Sequence, residues 1–266
     1  MQIDEKLKSL REKLKEMEKV LIAFSGGVDS TFLLKVCIDV LGRENVVAVT
    51  ADSPLYVELE EAKKIAEELG VKHLIIKTDE LRNEEFVKNN PQRCYYCKME
   101  LFSKLKKIAK EMDIKHVIEA SVIDDLNDYR PGRKAIKELG IKSPLLEAGF
   151  TKNEIKVLSK KWGLPTWNKA SQSCLASRFP YGHEINEKEV EMIRKAEEFL
   201  KNSGFRIVRV RHHGKLARIE VGIDEIDRFF DKELREKIVE KLKEIGYTWV
   251  CLDLIGYRAG SMNEAL

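Results

Sequence analysis

The fold of this chain is decided by the stretch VLIAFSGGVDSTFLL, residues 20–34. Two apolar runs flank a pair of adjacent glycines, a pattern that predicts a strand, a tight turn and a helix. Glycines let backbone amides approach an anion, the hydroxyls of Ser25 and Ser30 add donors, and a helix N-terminus attracts negative charge. The stretch therefore predicts a phosphate-binding loop.

The spacing within this loop separates it from two common nucleotide-binding patterns. A Walker loop has more widely spaced glycines followed by Gly-Lys-Ser/Thr. A dinucleotide fingerprint needs a third glycine where Asp29 and Ser30 stand. SGGVDS instead resembles the pyrophosphate loop of the ATP pyrophosphatases, which cleave ATP between its α and β phosphates. The simpler alternative is a Gly-Gly turn that only connects a strand to a helix.

Length and composition indicate an ordinary globular protein. The 266 residues, 43% of them hydrophobic, suffice for one large or two modest domains. The 48 Lys and Arg against 45 Asp and Glu give a net charge of +3, too small for a general nucleic-acid-binding surface. We expect a cytoplasmic protein, because no apolar stretch is long enough to span a membrane and the first residues form a charged helix rather than a signal peptide.

Alternating strand and helix patterns predict an α/β fold with helices on both faces of a parallel sheet. Strands are predicted at 20–24, 46–50, 74–77 and 116–119, and those at 46–50 and 74–77 are expected to be short and buried. Ligands bind at the carboxyl ends of such strands. Ala51 and Ser53, directly after the second strand, are placed to contact adenine or ribose, although an ordinary strand-ending loop explains them equally well.

A second, smaller α+β domain is predicted at the C-terminal end. A loop rich in Pro, Ser and Gly covers residues 163–182, and loops of this length are usually functional sites or linkers. A helix, two strands, one or two further helices and a final strand follow it. We place the boundary so that residues 1–180 form the nucleotide-binding domain with the cysteine loops, and residues 181–266 form a domain for substrate binding or oligomerisation.

The five cysteines fall into two groups. Cys37 and Cys251 lie in apolar runs, which predicts small buried hydrophobic side chains. Cys94 and Cys97 form a CxxC pair in a segment that reads as a loop, and Cys174 follows in another loop. Three thiolates suit a [4Fe-4S] cluster with one iron open to an external ligand, whereas structural zinc needs a fourth ligand that no other motif offers. A redox CxxC unrelated to Cys174, or separate structural thiols, are the alternatives.

Several longer motifs resemble the LarE family of ATP-dependent sulfur transferases, and the resemblance covers nearly the whole chain. The motifs are SGGVDSTFLL (25–34), TADSP (50–54), RCYYCK (93–98), DYRPGR (128–133), SPLLE (143–147), CLASRFPYG (174–182), RVRHHG (209–214) and GYR (256–258). Only the first of them is shared with all pyrophosphate-loop enzymes. The resemblance implies an adenine nucleotide α-hydrolase-like fold.

The resemblance also implies a function in the synthesis of the nickel-pincer nucleotide, the cofactor of lactate racemase. Enzymes of this family adenylylate the carboxylates of pyridinium-3,5-biscarboxylic acid mononucleotide and convert them to thiocarboxylates. Some members donate the sulfur of a single cysteine, at the position of Cys174, and others use three cysteines to hold a cluster that presents sulfide. Because this chain has all three cysteines, we favour the [4Fe-4S] type, with Cys94, Cys97 and Cys174 as ligands.

Further site residues follow from the resemblance together with the chemistry of phosphates. Asp29, placed to hold Mg²⁺, and Cys174 are the predicted catalytic residues. ATP and its pyrophosphate are assigned to Ser25, Gly26, Gly27, Asp29, Ser30, Ala51, Ser53 and Asp125. Arg178, four residues after Cys174, either favours the Cys174 thiolate or pairs with a surface acid.

The substrate phosphate is assigned to Arg209, Arg211 and Arg258. The first two lie two residues apart in a predicted strand and so share one face, although a solvated charged face would look the same. His212 and His213 are interpreted as loop or packing histidines and are left out of the site. The segment 120–125, ASVIDD, departs from the GSNADD pattern of the family but keeps both carboxylates, including Asp125.

The expected partners are the pyridinium mononucleotide, a sulfide donor and further copies of the chain in a homo-oligomer. A tRNA thiolation enzyme with the same loop and three-cysteine cluster is the nearest rival, but such enzymes usually present a basic surface or paired zinc motifs. A nucleotide-binding or iron-sulfur module without turnover is the rival from another class. Neither a membrane nor a nucleic acid is an expected partner.

Overall fold

The computed structural model describes residues 2–126, 131–170 and 172–265. The chain divides into two compact units, Met1–Glu80 with Gln92–Gln172, and Leu81–Pro91 with Ser173–Leu266. The boundary between residues 180 and 181 stays a prediction. Asp128, Tyr129 and Arg130 of the DYRPGR motif lie outside the described residues.

The first unit contains a four-stranded parallel sheet, as the α/β prediction requires. Its strands are β1 (Val20–Ala23), β2 (Val46–Asp52), β3 (Lys72–Lys77) and β4 (His116–Ile118), in the order β3-β2-β1-β4. Val20 of the central strand pairs with Val46 on one side and with His116 on the other. The carboxyl ends of these strands therefore share one edge, where β1 leads into the predicted phosphate loop.

The helices alternate with the strands along the chain. They are α1 (Ile3–Lys15), α2 (Val28–Leu41), α3 (Leu59–Glu68), α4 (Glu84–Val87), α5 (Arg93–Glu111), α6 (Gly132–Glu138), α7 (Pro144–Glu147), α8 (Lys152–Lys161), α9 (Glu187–Asn202) and α10 (Lys232–Ile245). No helix of the described chain is both long enough and apolar enough to traverse a lipid bilayer.

Both faces of the parallel sheet are covered, because neighbouring residues of a strand point to opposite sides. Val20 and Ile22 pack in one hydrophobic core with residues of α1, α2 and α8. Leu21, between them, packs in a second core with residues of α5 and α6. This arrangement confirms the predicted helix layers on both faces.

The prediction that residues 74–77 form a buried strand is wrong. β3 pairs only with β2, so it lies at the edge of the sheet, and all of its residues are exposed or half-buried. Lys72 and Lys77 at its ends are exposed. The side chains of an edge strand need to be apolar only where they pack against neighbouring elements. Charged residues at its ends hinder pairing with other chains.

The second unit is built on a three-stranded sheet in the order β5-β6-β7. β5 (Val208–His213) runs antiparallel to β6 (Leu216–Val221), and β7 (Trp249–Leu252) runs parallel to β6. A single core joins this sheet to α9 and α10. Cys251 on β7 is exposed, so its predicted burial is wrong, whereas Cys37 on α2 is fully buried as expected.

Candidate functional site

The turn after β1 has the backbone geometry of an anion-binding loop. Gly26 adopts a φ of +71°, and a Cβ added there would lie 3.0 Å from Ala62 on α3, so both conformation and space require glycine. Gly27 is the N-cap of α2, and no side chain caps that terminus. The amides of the first helical turn are therefore available to an anion.

Two serine hydroxyls stand at the same turn. Ser25 Oγ lies 3.1 Å from Ser30 Oγ and accepts a hydrogen bond from the Gly27 amide at 3.3 Å. Ser30 Oγ also lies 3.2 Å from the Gly27 carbonyl, to which it donates. The loop is thus held by its own hydroxyls, and Ser25 remains exposed at its surface.

Asp29, on the first turn of α2, lies in an environment that disfavours its negative charge. Its pKa is raised to about 6, mainly by burial; the charge of Lys152 lowers it, and the nearby carboxylates of Asp125 and Asp124 raise it. Buried carboxylates close to one another suit a hard divalent cation, because the cation offsets both burial and repulsion. The donor set at this end of α2 therefore fits Mg²⁺.

Asp125 is brought to this site by a short 3₁₀ turn, Ile123–Leu126. It is 4% exposed, accepts a hydrogen bond from the Val122 amide and forms an ion pair of 3.1 Å with Lys152 Nζ. Lys152 is a cation at the nucleotide loop that the sequence interpretation missed. Thr151 is the N-cap of α8 and forms a capping box, which makes Lys152 the first residue of the helix.

Lys169 is a second missed cation, and it contacts the loop directly. Its Nζ donates to the Gly26 carbonyl at 3.2 Å and forms ion pairs of 2.7 Å with Glu58 and Glu61. The lysine therefore links the phosphate loop to the start of α3. It lies in the polar loop after α8, where no motif marked it in the sequence.

Ser53 and Cys97 contact the same buried glutamate. Ser53 Oγ donates to Glu80 Oε2 at 3.0 Å, and Cys97 Sγ lies 3.9 Å from Glu80 Oε1. Ser53 Oγ also accepts from the Leu55 amide, so it stabilises the turn after β2. Glu80, 2% exposed, ties the end of β2 to the CxxC segment. Ala51, on β2 itself, is half-buried.

The CxxC pair lies on a helix, so its prediction as a loop is wrong. α5 begins at Arg93, and Cys94 and Cys97 occupy its first turns. Residues three apart lie on the same side of a helix, which places both thiols on one face. Gly132 allows the start of α6 to pack there, since an added Cβ would lie 3.1 Å from the Cys94 carbonyl oxygen.

Cys97 is buried, with its Sγ 3.5 Å from Tyr56 Oη, whereas Cys94 is exposed. These two cysteines belong to the first unit and Cys174 to the second. All three candidate ligands are thiols, a soft donor set that fits an iron-sulfur cluster. The joint ligation of one cluster by the three stays a prediction.

Cys174 immediately precedes a 3₁₀ turn, Leu175–Arg178, that Arg178 stabilises from inside. The guanidinium of Arg178 is fully buried and donates to the Ser173 and Cys174 carbonyl oxygens at 3.1 and 3.3 Å. It also forms a bidentate ion pair with Glu197 of α9, with hydrogen bonds of 2.7 and 2.9 Å. The partner of Arg178 is thus a buried acid rather than a surface one.

The two arginines of β5 are buried rather than part of a solvated face. Arg209 and Arg211 are 3% and 4% exposed. Arg211 donates to Glu220 at 2.6 Å and to the Ser177 carbonyl at 3.0 Å. The Arg209 guanidinium lies 4.9 Å from the ring centroid of Tyr257, and burial together with the charge of Arg178 lowers its pKa. Guanidiniums concentrated in this way favour an anionic ligand.

Arg258, next to Tyr257, is half-buried and pairs with Glu264 at 3.2 Å. Its Nη1 is buried and makes no hydrogen bond within the described chain, as is true of Arg211 Nε. Buried donors of this kind are normally satisfied, so their presence on two of the predicted phosphate ligands is consistent with a bound anion.

One cluster escaped the sequence interpretation altogether. His183, Glu189 and His212 place one potential metal-ligating atom each within 4.8 Å of the other two. His212 had been assigned to packing, and the segments that hold the three residues are separated in sequence. Only the folded second unit brings them together.

Comparison with known proteins gives one match to the N-terminal part of the chain and others to nearly its whole length. The NAD synthase family model matches residues 2–94, the part of the chain that contains the phosphate loop. An uncharacterized protein of Synechocystis sp. is 42% identical over 266 residues, 99% of each chain. An uncharacterized protein of Methanocaldococcus jannaschii is 31% identical over 255 residues, 96% of each chain.

A relative with a named activity also matches along most of its length. The pyridinium-3,5-bisthiocarboxylic acid mononucleotide synthase of Lactiplantibacillus plantarum is 40% identical over 255 residues, which cover 95% of this chain and 92% of the relative. The match therefore includes both units, not the phosphate loop alone.

Proposed function

Because the chain belongs to the family of pyridinium-3,5-bisthiocarboxylic acid mononucleotide synthases, we propose that it is an ATP-dependent sulfur transferase of nickel-pincer nucleotide synthesis, the pathway to the lactate racemase cofactor. It adenylylates the carboxylates of pyridinium-3,5-biscarboxylic acid mononucleotide and converts them to thiocarboxylates. The observation that carries the proposal is the loop 25–30. It combines the α2 N-terminus, which no side chain caps, with Asp29, whose pKa is raised to about 6.

In the first step a carboxylate oxygen of the substrate bonds to the α-phosphorus of ATP, and the bond to pyrophosphate breaks. The amides of Gly26 and Gly27 and the hydroxyls of Ser25 and Ser30 are assigned to the departing pyrophosphate, whose charge they stabilise. Mg²⁺, when bound, shields the phosphate charge, and Asp29 with Asp125 would hold it. Ala51 and Ser53 are assigned to the nucleoside side of ATP.

Adenylylation is needed because a carboxylate is a poor electrophile. Once joined to AMP, its carbon accepts a sulfur nucleophile, the carbon–sulfur bond forms, and the bond to the AMP oxygen breaks. Cys94, Cys97 and Cys174 are the proposed ligands of a [4Fe-4S] cluster, which when bound supplies sulfide for this step. In the alternative route the Cys174 sulfur itself is transferred and the residue is consumed.

The phosphate of the mononucleotide is assigned to Arg209, Arg211 and Arg258. Two of these are buried on β5, and both Arg211 and Arg258 keep a donor without a partner in the described chain. A phosphate would satisfy those donors in the bidentate geometry that guanidinium favours. The proposal further includes an external sulfide donor and a homo-oligomeric assembly, both on the strength of the family resemblance.

The test is an anaerobic assay of pyrophosphate and AMP with ATP, Mg²⁺ and sulfide, with and without the biscarboxylate mononucleotide. We expect pyrophosphate release only with the mononucleotide, and equal amounts of AMP once sulfur is transferred. Release that depends on bulk tRNA instead would favour the tRNA thiolation enzyme. ATP binding without release under any of these conditions would favour a nucleotide-binding module and contradict the proposal.

A further inference from the structure

The cluster of His183, Glu189 and His212 combines side chains from three elements of the second unit. His183 follows the turn closed by its own amide on the Pro180 carbonyl at 3.1 Å. Glu189 lies on the first turn of α9, where Asn186 caps its amide at 3.0 Å. His212 is the penultimate residue of β5 and pairs with Ala217. Local hydrogen bonds therefore position each residue independently of the others.

The buried imidazole of His212 has one nitrogen satisfied and one that makes no hydrogen bond. The side chain is 1% exposed, and its Nδ1 lies 3.1 Å from Tyr247 Oη. Its Nε2 forms no hydrogen bond in the described chain, and Glu189 Oε1 lies 3.4 Å away. A buried polar atom without a bond is unusual enough in a folded protein to require a reason.

The contact with Tyr247 matters for what Nε2 can bind. In proteins a metal-ligating histidine commonly donates its other ring N–H to an oxygen, which fixes the tautomer. If His212 Nδ1 donates to Tyr247 Oη, then Nε2 carries a lone pair directed at the cluster. Phe179 packs beside both imidazoles, with ring centroids 5.5 Å from His183 and 5.3 Å from His212. This ring limits the water around the site.

We propose that His183, Glu189 and His212 bind a divalent transition metal ion, with Zn²⁺ as the expected occupant. Two imidazoles and one carboxylate are the ligand set of zinc sites that keep a fourth position open. Ligand atoms around tetrahedral zinc stand about 3.3 Å apart at ordinary bond lengths, so the observed spread of up to 4.8 Å closes by small side-chain rotations. Hard cations such as Mg²⁺ prefer oxygen-only sites and do not suit this set.

A bound ion would connect the segment that carries Cys174 to the rest of its unit. His183 ends the CLASRFPYGH segment, nine residues after Cys174, while Glu189 and His212 belong to α9 and β5. The metal would therefore fix the far end of a segment whose near end Arg178 already holds. This role is separate from the three cysteines and uses none of their thiols.

Without metal, the same residues still form an ordinary contact, since His183 Nε2 lies 2.8 Å from Glu189 Oε2. That hydrogen bond satisfies one imidazole but leaves His212 Nε2 at 3.4 Å from Glu189 Oε1, without a hydrogen bond in the described chain. An ion held by all three side chains explains the orientation of both imidazoles. A hydrogen-bonded pair explains only one of them.

The test uses the full-length protein stripped with chelator and titrated anaerobically with Co²⁺, followed by competition with Zn²⁺. We expect one equivalent bound at this site with the visible absorption of tetrahedral nitrogen and oxygen ligands, distinct from any sulfur-to-cobalt charge transfer of the three cysteines. His183→Gln, at a half-exposed position, should weaken binding by at least about tenfold, since even an outer partner of a metal ligand has effects of that size. His212→Gln should do the same, with circular dichroism to verify folding.

Two controls separate this site from other ligands. His213→Gln removes the exposed imidazole next to His212 and should bind metal as the wild type does. The triple variant Cys94→Ser, Cys97→Ser, Cys174→Ser should also retain this site. Zn²⁺ should raise the melting temperature of the wild type and of His213→Gln but not of His183→Gln. Equal affinity in the wild type and His183→Gln, or loss of the nitrogen-and-oxygen cobalt spectrum in the triple variant, would overturn the proposal.

Discussion

Arg178 and Glu197 form a fully buried, two-bond ion pair, with Nε to Oε1 at 2.7 Å and Nη2 to Oε2 at 2.9 Å. The remaining guanidinium nitrogen of Arg178 donates to the carbonyl oxygens of Ser173 and Cys174. One arginine thus holds the backbone at Cys174 and is itself fixed by α9. Buried pairs of this kind are costly to break, because the remaining charge has no compensation.

Glu197→Gln is expected to destabilise the protein by about 3 kcal/mol at neutral pH, since it leaves the buried guanidinium without a counter-charge. Despite burial, which opposes its ionisation, the charge of Arg178 lowers the pKa of Glu197. The stability from ionised Glu197 is therefore present above its ordinary pKa of 4.5 and lost as the pH falls through the lower folded value. Urea denaturation at several pH values measures this difference.

The exposed neighbour Glu198→Gln serves as the matched control and should change stability little. We expect the difference in free energy of unfolding between wild type and Glu197→Gln to narrow as the pH drops below 4.5. A constant gap across the acid range would show that Glu197 does not act through its charge.

Lys169→Met is expected to reduce kcat/KM for ATP by about tenfold, because a charge-assisted hydrogen bond to the Gly26 carbonyl is removed. The substitution also leaves Glu58 and Glu61 without their shared cation, so the loop and the start of α3 lose their link. Steady-state pyrophosphate release at varied ATP measures the effect. Lys161→Met changes an exposed lysine at the end of α8 and should behave as wild type. Equal kinetics for both variants would show that Lys169 does not support the loop.

Gly26→Ala tests whether the loop needs its glycine for conformation alone. Gly140 has a similar φ of +66° with open space around an added Cβ, whereas Gly26 has Ala62 at 3.0 Å. Gly140→Ala should cost about 1 kcal/mol from backbone strain alone, and Gly26→Ala should cost more and abolish measurable ATP binding. Calorimetric titration with ATP and thermal melting compare the two. Unchanged ATP affinity in Gly26→Ala would mean that the loop does not approach the phosphates.

Asp29→Asn should stabilise the ligand-free protein while it removes activity. Because burial raises the Asp29 pKa from 3.8 to about 6, the folded protein binds this proton more tightly than the unfolded chain. Stability from this group is therefore greatest at low pH and falls as the pH rises towards 6. At about pH 8 the variant should gain on the order of 3 kcal/mol.

The same group links pH to cation binding. Protonated Asp29 cannot hold Mg²⁺, so the affinity for Mg²⁺ with ATP should weaken as the pH falls below about 6. Asp39→Asn, on the exposed side of the same helix, loses only a surface pair with Lys35 and should keep wild-type activity. An Asp29→Asn variant no more stable than wild type at high pH would contradict the assigned environment.

The fold was largely predictable, because local sequence patterns indicate the strands and the glycine loop. β1, the loop and α2 follow one another in a single continuous stretch, and the alternation of strands and helices predicts the parallel sheet. Local patterns do not reveal position within a sheet, so the edge location of β3 was missed. A helix was expected only from Met99, so the first turns of α5 from Arg93 were missed, since two cysteines and two tyrosines carry little helical signal.

The parts of the site that the sequence did not indicate all depend on long-range contacts. Glu80 gains its role from Ser53 and Cys97, and Lys169 gains its role from a carbonyl 143 residues earlier in the chain. The burial of Arg178 with Glu197 depends on the packing of α9 in the second unit. Motifs identify residue types suited to chemistry, but only the folded chain shows which of them are satisfied by protein partners.

An anaerobic multiple-turnover assay, in which mass spectrometry follows both substrate and protein, decides whether the enzyme transfers sulfur catalytically. We expect exchange of oxygen for sulfur at the carboxylates of the mononucleotide, more than one thiocarboxylate per chain, one AMP for each, and a protein of unchanged mass. Cys174→Ala should form the acyl-adenylate but no thiocarboxylate. A wild-type protein that consumes ATP without producing any thiocarboxylate would contradict the sulfur transfer, and a single product per chain with loss of the Cys174 sulfur would contradict the cluster.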